Sequence, residues 1–185
     1  MDAEADLALG FDCRSGAHGA QHPAARACLR DGEKPRQSHG GVRSSQPALP
    51  GDVIVIDGVA GVSNMGGISA QTGKRQGEAG AIVFGGIRDL GHSRRVGYPL
   101  WATEVTPATG KWRIETVEIN GDIQIAGIRV GAGDIVVADE TGVCFIPIAR
   151  AAEVLAKALK KSAFEEAKCE AIDSGVAVAD LPSNA

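Results

Sequence analysis

Apolar and polar positions change their spacing abruptly at Pro50. Residues 1 to 50 carry only Met1, Leu7, Leu9, Phe11, Leu29, Val42 and Leu49 as large apolar side chains. The stretch "RSGAHGAQHPAARACLRDGEKPRQSHGGVRSSQP" follows neither the two-residue period of a strand nor the 3.6-residue period of a helix. It buries too little apolar surface to offset its ordering entropy. An atypical, largely irregular N-terminal segment is expected, with a short helix over "HPAARACLR" that carries Pro23 near its first turn.

Beyond Pro50 the pattern becomes regular. "DVIVID" (52 to 57) is a β-branched apolar run between Gly51 and Gly58, the mark of a buried strand. "MGGISAQTGKRQGEAG" predicts a short helix that begins at Gly66-Gly67, is weakened by Gly73 and Gly77, and ends at Gly80. "AIVF" (81 to 84) is a second buried strand. Residues 52 to 84 therefore predict a strand–helix–strand unit with parallel strands and a right-handed crossover.

Strands are expected in "YPLWATEV", "KWRIETVEI", "DIQIAGIRV", "DIVVAD" and "GVCFIPI". From Pro147 to about Ile172 a helix places Ala151, Leu155, Ala158, Leu159 and Phe164 near one face, with Lys and Glu opposite. The reading is an α/β protein: residues 1–50 atypical, one domain over 51–173, and a loose tail over 174–185.

A net charge of −4 argues against binding nucleic acid by phosphate neutralisation. No apolar run approaches the roughly 20 residues that span a bilayer, and the acidic N-terminus does not resemble a secretory signal. Cys13, Cys28, Cys144 and Cys169 show no CxxC spacing, so a reduced, cytoplasmic protein is expected.

Three stretches suggest chemistry. "GISAQTGKR" imitates a phosphate-binding loop but has five residues between Gly67 and Gly73 where four are required, and Arg75 stands where Ser or Thr would hold magnesium. Cys13, His18, His22 and Cys28 are zinc-ligand types, but their spacing matches no common finger. The third stretch is the pair of motifs at Gly66-Gly67 and "GGIRDLGHSRR" (85 to 95). Unpaired amides at a helix start attract anions, and glycine lets a ligand approach the backbone. In a parallel unit that helix start and the turn after the second strand share one sheet edge, where open α/β sheets bind ligands. Arg88 could grip a carboxylate with two parallel hydrogen bonds, and Asp89 is a hard oxygen ligand suited to Mg²⁺ or Mn²⁺. The plain alternative is a surface ion pair of little energetic weight.

Taken in order, "GDVIVIDG", "GGISAQTGKRQGEAGAIVFGGIRD", "YPLWATEVTP" and "GIRVGAGDIVVADETGVCFIP" resemble the aldolase family of 4-hydroxy-4-methyl-2-oxoglutarate aldolase. That family also holds the regulator of ribonuclease E activity A. The resemblance spans residues 51 to about 160. It implies a swivelling β/β/α-type fold with mixed sheets and a C-terminal helix, assembled as a homotrimer or hexamer with pockets between subunits. It further implies that Gly66, Gly67, Ile68 and Ser69 receive a substrate carboxylate or carbonyl, that Arg88 binds substrate, and that Asp89 anchors a divalent metal. The implied activity is that of a class II, metal-dependent lyase: retro-aldol release of pyruvate from a small 2-oxo acid, with oxaloacetate decarboxylation as a side reaction. The alternative is a protein-binding regulator of ribonuclease E on the same scaffold. The acidic residue that some aldolases borrow from a neighbouring subunit has no assignable counterpart.

Overall fold

The computed structural model describes residues 26–31 by their backbone and residues 48–183 in full. It divides at Pro147/Ile148 into two units.

The first unit is built on a six-stranded mixed sheet. β1 (Arg26–Asp31) runs parallel to β2 (Val53–Asp57) and antiparallel to β6 (Ile114–Ile119). The segment read as a short helix is thus extended on its C-terminal side, because two neighbouring strands satisfy its backbone groups. The remaining expectations for the N-terminal region, including any metal site using Cys13, His18 and His22, lie outside the described residues.

β4 (Gly80–Ile87) is the central strand. β2 and then β3 (Ser63–Met65) lie parallel along one edge of it, and β5 (Leu100–Val105) lies parallel along the other. Helix α1 (Gly67–Gln76) connects β3 to β4 and ends at Gly77 in the left-handed conformation, φ 83°. Gly85 and Gly86 remain inside β4, where the Asn64 side chain packs against them and donates to the Gly86 carbonyl at 3.1 Å. The turn expected at these glycines comes later, at Arg88-Asp89, and leads into α2 (Leu90–Val96), a helix absent from the sequence reading.

Alternation along the strands sorts the core into two layers. Ile54, Ile56, Ala81 and Val83 pack with Ala70 of α1 and with Tyr98 on one face, while Val55 and Ile82 face Ile123, Ile125 and Val130 on the other. The second face is covered by two hairpins. "DIQIAGIRV" is not one strand but β7 (Ile123–Ile125) and β8 (Ile128–Val130), reversed at Ala126 and Gly127 with φ of 48° and 83°. Among the described residues β9 (Ile135–Asp139) pairs only with β10 (Gly142–Ile146), and Val136, Val143 and Phe145 cover the same core. The layers are therefore β/β/α.

Beneath α1 lies a buried polar pair. Tyr98 donates to Glu78 at 2.5 Å, and the two residues are 1% and 5% exposed. Burial, then the charge and hydrogen bond of Glu78, hold the Tyr98 hydroxyl well above the ordinary tyrosine range. A raised folded value means that the unfolded chain releases this proton first, from about pH 10, so the contribution is complete below that pH and declines above it. Tyr98→Phe is expected to flatten the fall in stability between about pH 10 and 11.5, measured by urea midpoints. A parallel decline in both proteins would refute the assignment.

The second unit contains α3 (Ala151–Asp173) after a short 3-10 turn at Ile148–Arg150. Glu153 bridges Arg150 and Lys157, and Leu155 and Leu159 are 59% and 62% exposed.

Candidate active site

β3 delivers the chain to Gly66, where α1 begins, and β4 delivers it to Arg88 and Asp89. Because β3 and β4 are parallel and paired through Met65 and Ile87, the two connections leave the same sheet edge side by side. The Arg88 amide donates to the Met65 carbonyl at 3.1 Å and locks that juxtaposition.

Asp89 adopts a left-handed conformation, φ 61° and ψ 32°, that few non-glycine residues take up. Its backbone carbonyl accepts from the amides of His92 and Ser93, starting α2. Its side chain does not cap that helix. Instead Oδ2 accepts from the Gly67 amide at 3.0 Å, at the first turn of α1, and stands 3.6 Å from the Arg88 Nε. A single strained residue thereby starts one helix with its backbone and caps another with its carboxylate.

Gly66 makes this possible. A Cβ at that position would lie 2.9 Å from the Asp89 Oδ2 and 3.2 Å from the Arg88 Nε. The Gly67 amide, expected to receive substrate, is occupied by Asp89 itself. Among the described residues, the amides of Ile68 and Ser69 have no acceptor, and these are the groups at this helix end left to meet an anion.

A cavity of about 600 Å³ opens beside this pair. Gly67, Ile68, Gln71 and Thr72 of α1 line one side, and Asp89, Gly91, His92 and Arg95 line the other. Arg88 and Ser69 belong to the rim motif but not to the cavity wall; Arg88 is 46% exposed and Ser69 is buried. His92 pairs with Gln71 across the cavity at 3.2 Å. His92 and Arg95 escaped the sequence reading because α2 did, and Gln71 and Thr72 of the predicted α1 gain a role only from facing α2 across the cavity. Once α2 is a helix, the three-residue spacing of 89, 92 and 95 aligns them on one face.

Among the described residues no group of three His, Cys, Asp or Glu side chains converges to hold a metal ion. A cation here would have one protein carboxylate. That donor set suits Mg²⁺ or Mn²⁺, which keep several waters when anchored singly. Oδ2 of Asp89 is engaged, whereas Oδ1 has no hydrogen-bond partner among the described residues, so the site fits such an ion. Lys74, the lysine of the phosphate-loop look-alike, donates to the Gly97 carbonyl at 3.1 Å and ties α1 to the end of α2.

A β/β/α core carries an acid–arginine pair at a helix start on one sheet edge. The chain belongs to the RraA-like family (Aldolase/RraA), whose model matches residues 34–145. A protein of Halalkalibacterium halodurans, provisionally named 4-hydroxy-4-methyl-2-oxoglutarate aldolase, is 35% identical over 137 residues. That match covers 73% of this chain and 65% of the relative. The 4-hydroxy-4-methyl-2-oxoglutarate aldolase of Thermus thermophilus is 29% identical over 99 residues, covering 52% of this chain and 60% of the relative. The chain thus spans less than two thirds of the length of either. Among solved structures, Streptomyces coelicolor RraAS2 is described as an unusual member of the RNase ES inhibitor RraA protein family. It superimposes with a TM-score of 0.68 at 28% identity, covering 78% of this chain and 73% of that one. No helix among the described residues is long and apolar enough to cross a membrane.

Proposed function

We propose that this protein is a divalent-cation-dependent lyase that cleaves 2-oxo acids bearing a further carboxylate, of the 4-hydroxy-4-methyl-2-oxoglutarate kind, and releases pyruvate. The observation that carries the reading is the Asp89 carboxylate, held by the Gly67 amide beside Arg88, with its other oxygen unengaged among the described residues. The aldolase names of the relatives support it.

Cleaving the carbon–carbon bond next to the pyruvyl unit moves negative charge onto the 2-oxo oxygen. A divalent cation held by Asp89 supplies Lewis-acid stabilisation of that charge. Arg88 clamps the substrate carboxylate in its planar fork, and the Ile68 and Ser69 amides add fixed positive potential that needs no reorganisation during the reaction. A water beside Asp89 takes the hydroxyl proton of the departing half and returns a proton to the enolate carbon, which becomes the methyl group of pyruvate. Oxaloacetate decarboxylation, which develops the same charge, is a side reaction of this site. In this reading the protein works as a homotrimer or hexamer that completes the open cavity wall.

The test is pyruvate release from 4-hydroxy-4-methyl-2-oxoglutarate and from oxaloacetate, with magnesium and with a chelator. Turnover should vanish with the chelator and return with magnesium. Arg88→Ala should lower kcat/KM by about 100-fold, consistent with loss of a bidentate charged contact. Chelator-insensitive turnover would sink the metal-dependent reading. The resemblance to RraAS2 supports a second reading, a ribonuclease-binding regulator; it predicts ribonuclease inhibition and no pyruvate release in the same preparations.

A further inference from the structure

The structure assigns Arg95 as the residue that selects the substrate, by receiving a second carboxylate on the cavity wall beyond the Arg88–Asp89 pair. This inference rests on the reading that the pyruvyl end lies at Asp89.

Arg94 and Arg95 are neighbours in sequence but face different surroundings. Arg94 borders a small separate cavity with Asp139 and Glu140, whereas Arg95 lines the Asp89 cavity. Among the described residues Arg95 makes no salt bridge, in contrast to Arg129 and Arg150, which each pair with a carboxylate. A guanidinium on a cavity wall with no internal partner has all of its donors available to a ligand anion.

Its direction is read from its contact with Gly91, one helical turn earlier. A Cβ on Gly91 would lie 3.6 Å from the Arg95 Nη1, so the side chain folds back along α2 toward Asp89, over the bare backbone of Gly91. Gly91 itself lines the cavity, so the folded guanidinium overlies cavity wall. Asp89 immediately precedes α2 and Arg95 is its sixth residue, and the fold-back brings the guanidinium toward the Asp89 end of the helix. A ligand with a carboxylate at each end can engage Arg95 while its 2-oxo acid end stays at Asp89. Pyruvate, whose one carboxylate is held beside Asp89, has none left for Arg95.

Calorimetric titration of the magnesium-loaded protein with pyruvate and with 2-oxoglutarate tests the assignment without turnover. The second ligand adds a distal carboxylate but lacks the hydroxyl needed for cleavage. Arg95→Gln is expected to weaken 2-oxoglutarate by about 10- to 100-fold, the range for losing a charged hydrogen bond, and pyruvate by less than about threefold. Arg95→Lys should recover part of the loss. In turnover, Arg95→Gln should raise KM for the dicarboxylic substrate while kcat changes little.

Equal weakening of both ligands, unchanged binding of both, or failure of the wild-type protein to bind 2-oxoglutarate would each overturn the assignment. Selective weakening by Arg95→Gln in a protein that releases no pyruvate would uphold Arg95 and discard the lyase.

Discussion

Replacing Asp89 with asparagine is expected to cut pyruvate release by at least about a thousand-fold, close to 4 kcal/mol of barrier, while moving the thermal midpoint by only about 2 °C. The two effects separate because the carboxylate has two tasks. An asparagine oxygen can still accept from the Gly67 amide, now 3.0 Å from Oδ2, so α1 keeps its cap. The ion pair with Arg88 contributes little, since the partners are 46% and 48% exposed and 3.6 Å apart. What asparagine cannot supply is the negative charge that binds a hard cation. Asp89→Ala should lose the cap as well, at a cost of about 1 kcal/mol in stability. A kinetic assay over added magnesium, beside differential scanning calorimetry, reads both quantities. Retention of even a tenth of wild-type turnover in Asp89→Asn would remove this carboxylate from the chemistry.

The second large effect concerns stability. Gly73→Ala should destabilise the fold by about 2–4 kcal/mol, lowering the midpoint by roughly 5–15 °C, although alanine is the better helix former. In an exposed helix the substitution would gain about 1 kcal/mol. Here the new Cβ would lie 2.2 Å from the Glu78 Oε2 and 2.7 Å from the Tyr98 Cε2. Glu78 cannot easily yield, because it is 5% exposed and bound to Tyr98. Moving it breaks a charged hydrogen bond in the core, worth about 1.5–3 kcal/mol, and adds overpacking of similar size. Urea unfolding of the two proteins decides the matter. A variant as stable as the parent, or more so, would show that helix propensity wins and that the buried pair repacks freely.

Gly73 also shows where sequence reading stops. Within the chain it looks like a flaw in a helix; against Tyr98 and Glu78 it is the space that lets α1 approach the sheet. The partners lie 5 and 25 residues downstream, and nothing in a 3.6-residue period reports on them. α2 was lost for a related reason. Seven residues, "LGHSRRV", are too few for a period to stand out, and the helix starts from an aspartate in a left-handed conformation that no simple cap rule anticipates. With α2 went His92 and Arg95, two of the five polar side chains on the cavity wall.

Local pattern by itself determined the parallel β2–β4 pair with α1 between them, though not the short β3 that enters the helix, and the proximity of Gly66-Gly67 to Arg88-Asp89. Apolar alternation selects the buried faces, and parallel pairing of adjacent strands brings their ends to one edge. Only the tertiary structure decided which donors remain open, because that depends on partners distant in sequence. It gave the Gly67 amide to Asp89, turned Arg95 over Gly91, and made one hairpin of a stretch that reads as a single strand. Hydrophobic spacing specifies which way a side chain faces, whereas the groups it meets there come from packing.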